Sequence, residues 1–552
     1  MTQVEQSSKN GVLVQAGILA AASMIVRIIG LLYRAPLTAI IGDEGNGYYG
    51  TAYNIYTILL MISSYSIPSA VSKLMAQKLA VGENGNAQRI FHCALFYGLI
   101  VGVGASALLF FGAGLLVPRV AENVLRVFAP TVFLFGILAA LRGYFQAQGS
   151  MVQTSVSQIL EQLANAIVSI GAAAALMRIA AGQSQTVQAQ YGAAGSALGT
   201  GSGVLIALLF MAACYAKERP HMLQGIRNDR SKDADSYGRC MRETIAVITP
   251  FMLSGFILNL TTSLNQTLYY RIMIGVRGMD EIAATTQYGI FSNKAVVISN
   301  IPISIATAVS SAIIPGISAS FARGDLADTR RRAANASRIT SMIAIPSAVG
   351  LAVLAKPVTM LMFPQMESLD EAGRLLSLLA VTVLFYSVST ITNAVLQSIG
   401  RMNMPLVSAG IALLIQTAVL WVLLAATDLS VYALVAVSVI YSAMIFIVNE
   451  FFLKKYLGLK RDWGILLIRP LFCAAVMGAA AVLVYRIFRG ILSHTGLRLY
   501  FVNFGATLAA LLTAVVVYFF LLIRSKTMTR ENIGSLPKGE KIVQVLHRLK
   551  WL

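Results

Sequence analysis

The stretch Gly11–Pro36, GVLVQAGILAAASMIVRIIGLLYRAP, decides the class of this protein. It is long enough to cross a bilayer as one helix, yet it carries Arg27 and Arg34. Because they are seven residues apart, the two arginines share one helix face, roughly 10 Å apart along its axis. A cation that faces lipid at depth costs between ~3 and ~17 kcal/mol. We therefore expect this face to line a hydrated or anionic cavity inside a membrane protein.

The composition supports a membrane protein. Of 552 residues, 57% are hydrophobic and 12% charged, and the mean hydropathy is +0.72, which no soluble globular domain requires. No small-residue cleavage site follows the first apolar run, which predicts an uncleaved span rather than a signal peptide. The cysteines are scattered, with neither disulfide nor metal-site spacing: Cys93, Cys214, Cys240 and Cys473.

Apolar runs bounded by charged residues, glycine or proline predict an all-α polytopic membrane protein with about 14 transmembrane helices. With the N-terminus inside, 30 of the 43 basic residues fall on the cytoplasmic side, 10 outside and three within spans. This excess predicts that both termini are cytoplasmic, and it attributes the net charge of +20 to topology and anionic lipid rather than nucleic acid. The approximate limits of the spans are 11–36, 48–72, 90–117, 124–146, 154–177, 192–216, 243–270, 285–321, 333–355, 375–399, 404–427, 430–453, 464–488 and 499–523.

The two parts of the chain repeat each other. The motif at 146–151, QAQGSM, returns at 397–402 as QSIGRM, and Ile67-Pro68 has a counterpart in Ile301-Pro302. Two pseudo-symmetric six-helix halves of like orientation place a substrate site between them and permit alternating access. The predicted organisation is an N-terminal half at 1–216, a cytoplasmic connector at 217–242, a C-terminal half at 243–456, helices 13 and 14 at 457–523, and a cytoplasmic basic tail with an amphipathic helix at 524–552.

Local strings add a family resemblance that runs from about Gly11 to Ile523. The chain resembles the SpoVB/MurJ-like polysaccharide biosynthesis proteins of the multidrug/oligosaccharidyl-lipid/polysaccharide exporter superfamily. The resemblance implies a flippase in the bacterial plasma membrane that moves lipid II to the outer leaflet, with cell-wall synthesis proteins as possible partners. The strings that carry it are RIIGLLYR at 27–34, IGDEG at 41–45, IPSAVSKL at 67–74, LRGYFQ at 141–146 and SQILEQ at 157–162.

The resemblance also implies roles for basic residues. Arg27 and Arg34 match the two cavity arginines of the family's first span, and Lys73 matches a basic residue one turn after the second-span proline. The implied role is to bind the pyrophosphate of the lipid-linked sugar, and guanidinium groups suit it because their donors fit phosphate oxygens bidentately. For Arg34 the alternative is snorkelling to the headgroups. The chain departs from the Gram-negative branch at Ala35, where that branch has an acid.

Two further charges lie inside predicted spans. Lys294, about ten residues into span 8, is predicted to contact substrate or a gate, although it lies one turn out of register with the family's later cavity arginine. Its alternative is an interfacial lysine. Glu161 in span 5 is predicted to couple an ion or to pair with a cavity cation. Its alternative is a structural acid that caps a neighbouring helix on the cytoplasmic side.

Nothing in the sequence indicates catalysis. The four histidines lie in loops or at span ends, and no paired-carboxylate, HExxH or nucleophile motif occurs, so we predict no enzyme, cofactor or metal. The predicted partners are a lipid-linked oligosaccharide and membrane lipids. Alternative functions are a flippase for a capsule, teichoic-acid or sporulation-related precursor and a cation-coupled drug exporter. An alternative from a different class is a membrane-embedded glycan polymerase or glycosyltransferase.

Overall fold

The computed structural model describes residues 18–19, 21–227, 229, 235–459, 461–494 and 496–525. The fold is 89% helical, and no strand occurs in these ranges. The α-helices in chain order are α1 (Ala21–Leu32), α2 (Arg34–Leu60), α3 (Ile67–Ala80), α4 (Asn84–Phe111), α5 (Ala113–Leu116), α6 (Arg119–Ala147), α7 (Val152–Ile179), α8 (Gln185–Arg227), α9 (Tyr237–Met273), α10 (Glu281–Gly289), α11 (Val296–Ala322), α12 (Leu326–Val353), α13 (Ala355–Met362), α14 (Leu369–Ser398), α15 (Met404–Ala426), α16 (Val431–Leu457), α17 (Arg469–Ser493) and α18 (Leu499–Arg524). Short π-helical segments at Met61–Tyr65, Ile290–Ala295 and Gly464–Ile468 precede α3, α11 and α17.

The all-α membrane fold is confirmed. Among the described residues, 12 helices are long and apolar enough to cross a membrane, and each coincides with one predicted span. The two remaining predictions, spans 1 and 7, correspond to the helices α1 and α9.

The first membrane helix extends further than the sequence predicted. The backbone N–H of Tyr33 donates to Ile29 O at 3.1 Å and that of Leu37 donates to Tyr33 O at 3.1 Å, so α1 continues into α2. The kink comes at Gly42, where φ is 68°, a conformation that favours glycine. Arg34 therefore lies about two turns before the kink, within the helix rather than at its end.

The repeated motif forms the same turn at both of its positions. Gly149 follows α6 with a φ of 78°, and Gly400 follows α14 with a φ of 78°. Each glycine N–H donates to the carbonyl three residues before it, at 3.0 Å and 3.1 Å. A left-handed glycine of this kind ends a helix and satisfies its last carbonyls. The repeat seen in the sequence thus corresponds to a repeated helix end.

Glycines let α8 lie directly against α7. A Cβ on Gly195, Gly199 or Gly203 would lie 2.6, 2.1 or 2.4 Å from atoms of α7. Small residues at four-residue spacing allow helix backbones in membranes to approach closely. This contact holds α7 in place, and the atom facing Gly203 is the backbone oxygen of Glu161.

The chain divides into two compact units, Met1–Gly289 and Ile290–Leu552. The first unit includes α9 and α10, which the repeat assigns to the second half. α10 contacts α2 through glycine: a Cβ on Gly289 would lie 2.4 Å from the Cα of Gly47. The domain boundaries at 216, 242 and 456 stay a prediction, and the amphipathic helix predicted in the tail falls beyond residue 525, outside the described residues.

The connector after α8 contacts the α3–α4 turn. Lys78 Nζ bonds to Glu83 Oε2 at 2.8 Å and to Asp235 Oδ2 at 2.7 Å. The backbone N–H of Gly85 donates to Asp229 Oδ2 at 2.6 Å. The Lys78 ammonium lowers the pKa of Asp235, chiefly through this hydrogen bond. By the predicted topology, this ionic contact lies on the cytoplasmic side.

Candidate substrate-binding site

Arg27 and Arg34 lie on one stripe of the first helix, as predicted. Arg27 is exposed and Arg34 is half-buried. Within the described part of the chain, neither guanidinium forms an ion pair with a carboxylate. Both charges are therefore available to an anionic ligand.

Gly30 shows which way this stripe faces. It lies between the two arginines, and a Cβ added to it would lie 3.3 Å from Nε2 of Gln162 on α7. The face that carries the arginines thus lies beside the polar segment of α7 that contains Glu161, Gln162 and Asn165. This segment supplies amide and carboxylate groups to that region.

Tyrosines of α2 form a second wall of this region. Tyr53 stacks on Tyr49 with ring centroids 5.6 Å apart, and Tyr56 stacks on Phe128 at 4.7 Å. Arg34 interacts electrostatically with Tyr49 and Tyr53. In the sequence, the tyrosines of this aromatic face lie three or four residues apart along one apolar span. The same spacing is equally typical of ordinary core packing.

Glu161 is held by an arginine of α6. Arg142 Nη2 bonds to Glu161 Oε2 at 2.7 Å, and Arg142 Nε donates to Ser157 Oγ at 2.9 Å. Arg142 is only 5% exposed, and its guanidinium also lies 5.8 Å from the ring centroid of Phe135. The sequence did not reveal this pair, because Arg142 lies near a helix end and also fits the pattern of a cytoplasmic loop cation.

The two predicted lysines differ in environment. Lys73 is exposed on α3, in the same compact unit as Arg27, Arg34 and Glu161. Lys294 belongs to the second unit, where it lies in the π-helical segment Ile290–Ala295 and is 1% exposed. Its ammonium donates to Ser368 Oγ at 2.7 Å and lies 5.9 Å from the Phe363 ring centroid, so it is not the interfacial lysine of the alternative reading.

A polar cluster joins α2 to α9 and α10. Thr51 Oγ1 lies 2.6 Å from the Tyr270 hydroxyl, and the Gln266 amide donates to Thr51 O at 3.0 Å. The Asn54 amide donates to Gln266 Oε1 at 2.8 Å and to the Tyr288 hydroxyl at 3.1 Å. By the predicted topology this cluster lies toward the outer ends of the helices.

Among the described residues, no group of three or more His, Cys, Asp or Glu side chains could hold a metal ion. The described site consists of cations, amides, hydroxyls and aromatic rings on membrane helices. Such a set can bind a polar, anionic group inside a multi-pass membrane protein.

The chain belongs to the polysaccharide biosynthesis protein family, whose model matches residues 12–321. The MatE family model matches residues 251–422. The chain is 27% identical over 421 residues to stage V sporulation protein B of Bacillus subtilis (strain 168), covering 74% of this chain and 76% of that protein. It is 25% identical over 420 residues to lipid II flippase MurJ of the same organism, covering 72% and 75%.

Solved structures agree on the fold. Lipid II flippase MurJ in an inward closed conformation matches with a TM-score of 0.63 at 13% identity, over 91% of this chain and 97% of that one. A multidrug resistance MATE family transporter in an inward-facing conformation matches with a TM-score of 0.58 at 17% identity, over 78% and 94%. The predicted family and fold class are confirmed, and these relatives are flippases and transporters rather than enzymes.

Proposed function

We propose that this protein is a flippase for a polyprenyl-pyrophosphate-linked cell-wall precursor, and that the precursor is lipid II. The observation that carries the proposal is the arginine stripe of α1 and α2. Arg27 and Arg34 have no carboxylate partner among the described residues, and Gly30 between them faces the polar part of α7. Two guanidinium groups roughly 10 Å apart suit a pyrophosphate and the sugar next to it. The relative named lipid II flippase MurJ supports the choice of precursor.

The remaining site residues complete the proposal. Tyr53 presents a ring to the sugars, and Lys73 attracts the anionic headgroup at the cytoplasmic entrance. Lys294 holds the π-helical segment against Ser368, so that a change at this contact alters gating. The protein acts in the bacterial plasma membrane with both termini in the cytoplasm, and it forms or breaks no covalent bond in its substrate.

Alternating access requires a contact that opens on the outer side. We assign that role to the cluster around Thr51, Asn54 and Gln266, because hydrogen bonds join α2 to α9 there. Such bonds contribute about 0.5–1.5 kcal/mol each, so a few of them can be exchanged for bonds to water at modest cost.

The experiment measures lipid II in the outer leaflet of a flippase-deficient strain that expresses this protein. Arg27→Ala is expected to abolish the outer-leaflet signal while the protein stays abundant in the membrane. Arg27→Lys is expected to retain part of it, because an ammonium keeps the charge but loses the bidentate geometry. Arg178→Ala, at an exposed arginine of α7 outside the site, is the matched control. Full activity of Arg27→Ala would refute the assignment.

A second candidate is a flippase for another polyprenyl-linked glycan. It is favoured by the 27% identity to stage V sporulation protein B. Liposomes that contain the purified protein and one defined precursor at a time distinguish the two. Translocation of a different precursor with no translocation of lipid II would replace the first proposal by the second.

A further inference from the structure

The second unit contains a cavity of about 660 Å³ that the transport site does not use. It lies between the connection of α12, α13 and α14 and the hairpin of α17 and α18. Its apolar wall includes Leu354, Met360, Val482 and Leu499. By the predicted topology, the cavity lies at the outer end of these helices.

Cations line one side of the cavity. Arg486 and Arg489 are three residues apart on α17, so they share a face, and both are exposed. Neither forms an ion pair with a carboxylate within the described ranges. Lys356 of α13 also lines the cavity, but its ammonium pairs with Asp370. The two arginines therefore supply the uncompensated charge.

Hydrogen bonds connect the helices around the cavity. The Tyr485 hydroxyl donates to Asn503 Oδ1 at 2.8 Å, and the Asn503 amide donates to Pro357 O at 3.0 Å. The Tyr500 hydroxyl donates to Leu361 O at 3.3 Å. These bonds link α17, α18 and α13, so the cavity is built from helices that hold one another in place.

The distribution of charge along the chain gives an independent indication. Outer loops of membrane proteins are normally poor in basic residues. Of the ten basic residues predicted outside, five lie in the two segments that border this cavity, namely Lys356, Arg374, Arg486, Arg489 and Arg498. Such a concentration on the outer side indicates a local anion.

We propose that this cavity binds the phosphate-bearing headgroup of an outer-leaflet lipid. Guanidinium groups bind phosphate oxygens through charge-assisted hydrogen bonds. Ile487, Phe488 and Ile491 lie beside the two arginines and are largely exposed, so an acyl chain would extend along the same helix. The site is separate from the transport proposal, because its residues are on α12–α14, α17 and α18 rather than on α1, α2 and α7.

The test uses the full chain in nanodiscs of neutral phosphatidylcholine, with phosphatidylglycerol added as the probe. Native mass spectrometry counts the phosphatidylglycerol molecules that stay bound. The double variant Arg486→Gln/Arg489→Gln is expected to weaken retention about tenfold or more, because two charge-assisted contacts are lost. Both side chains are exposed, so the variant is expected to fold. Arg178→Gln is the matched control and is expected to retain the lipid.

Two results would overturn the proposal. Equal retention by the double variant and by the wild-type protein would show that the arginines bind no lipid headgroup. Displacement of the probe by inorganic phosphate at the same concentration would show a site for free anions rather than for a lipid. Lipid II transport that persists in the double variant, together with lost lipid retention, would support this site independently of the transported substrate.

Discussion

Replacing Glu161 with alanine removes the carboxylate that faces the buried guanidinium of Arg142. The two groups are 2.7 Å apart, and Arg142 is 5% exposed, so water cannot readily replace the lost partner. Ser157 still accepts one hydrogen bond from Nε, but the charge stays uncompensated. Breaking a buried ion pair in this way costs about 3–5 kcal/mol. The Glu161 side chain is 26% exposed, so we expect a loss of about 3 kcal/mol, at the lower end of that range.

The assay is thermal unfolding of the purified protein in detergent, combined with a double-mutant cycle. Glu161→Ala is expected to lower the unfolding midpoint clearly. Arg142→Met/Glu161→Ala is expected to be more stable than Glu161→Ala alone, because the second change removes the unpaired charge and keeps side-chain volume. Glu122→Ala is the control, since its partner Arg126 is exposed and such surface pairs contribute about 0–1 kcal/mol.

The same variants separate a structural role of Glu161 from ion coupling. If Glu161 has a structural role, Arg142→Met/Glu161→Ala is expected to regain both stability and transport of the precursor. If Glu161 couples an ion to transport, the Glu161→Ala protein is expected to be stable, but its transport no longer responds to an imposed ion gradient. Wild-type stability of Glu161→Ala, or losses that simply add in the cycle, would refute the structural reasoning.

Two further predictions concern the contacts of α2 and of the connector. Gly47→Ala would place a Cβ 2.4 Å from the backbone oxygen of Thr285, so α2 and α10 must separate. Overpacking costs about 1–3 kcal/mol, so the ratio of closed to open states is expected to fall on the order of 5- to 150-fold. The ratio is measured as the reaction of a Thr51→Cys reporter with an impermeant maleimide. Gly104→Ala, with open space around its Cβ, is the control, and equal reactivity in both variants would contradict the prediction. The pKa of Asp235 is lowered by Lys78, so its contribution to stability is complete above pH about 4 and is lost as the pH falls below that value. The unfolding midpoints of wild-type and Asp235→Ala proteins should differ at pH 7, and the difference should shrink as the pH falls below the ordinary pKa of an aspartate. A difference that does not shrink on acidification would argue against the contact.

Much of the fold could be predicted from the sequence because each membrane span is recognised from consecutive residues alone. A bilayer requires about 20 apolar residues in a row, and every backbone polar group must be paired within the helix. Twelve of the fourteen predicted spans therefore coincide with apolar helices of sufficient length. The motif around Gly149 and Gly400 forms the same helix end at both positions, because a left-handed helix end has a strong preference for glycine.

The site was less predictable, because its pairings join residues far apart in the chain. The arginine stripe follows from helical spacing alone, since seven residues bring Arg27 and Arg34 to one face. The partner of Glu161 does not follow from spacing, because Arg142 reaches it only through the packing of α6 against α7. The surroundings of Lys294 likewise depend on Ser368, which is 74 residues away.

The sequence by itself determined that this chain is a helical membrane protein with a cationic first helix, because hydropathy and helical periodicity are properties of consecutive residues. Only the tertiary structure decided which charges are compensated. Arg142 and Glu161 neutralise each other, whereas Arg27 and Arg34 have no carboxylate partner in the described ranges. The physical reason is that an ion pair depends on a distance of a few ångströms between side chains, and that distance is set by how helices pack.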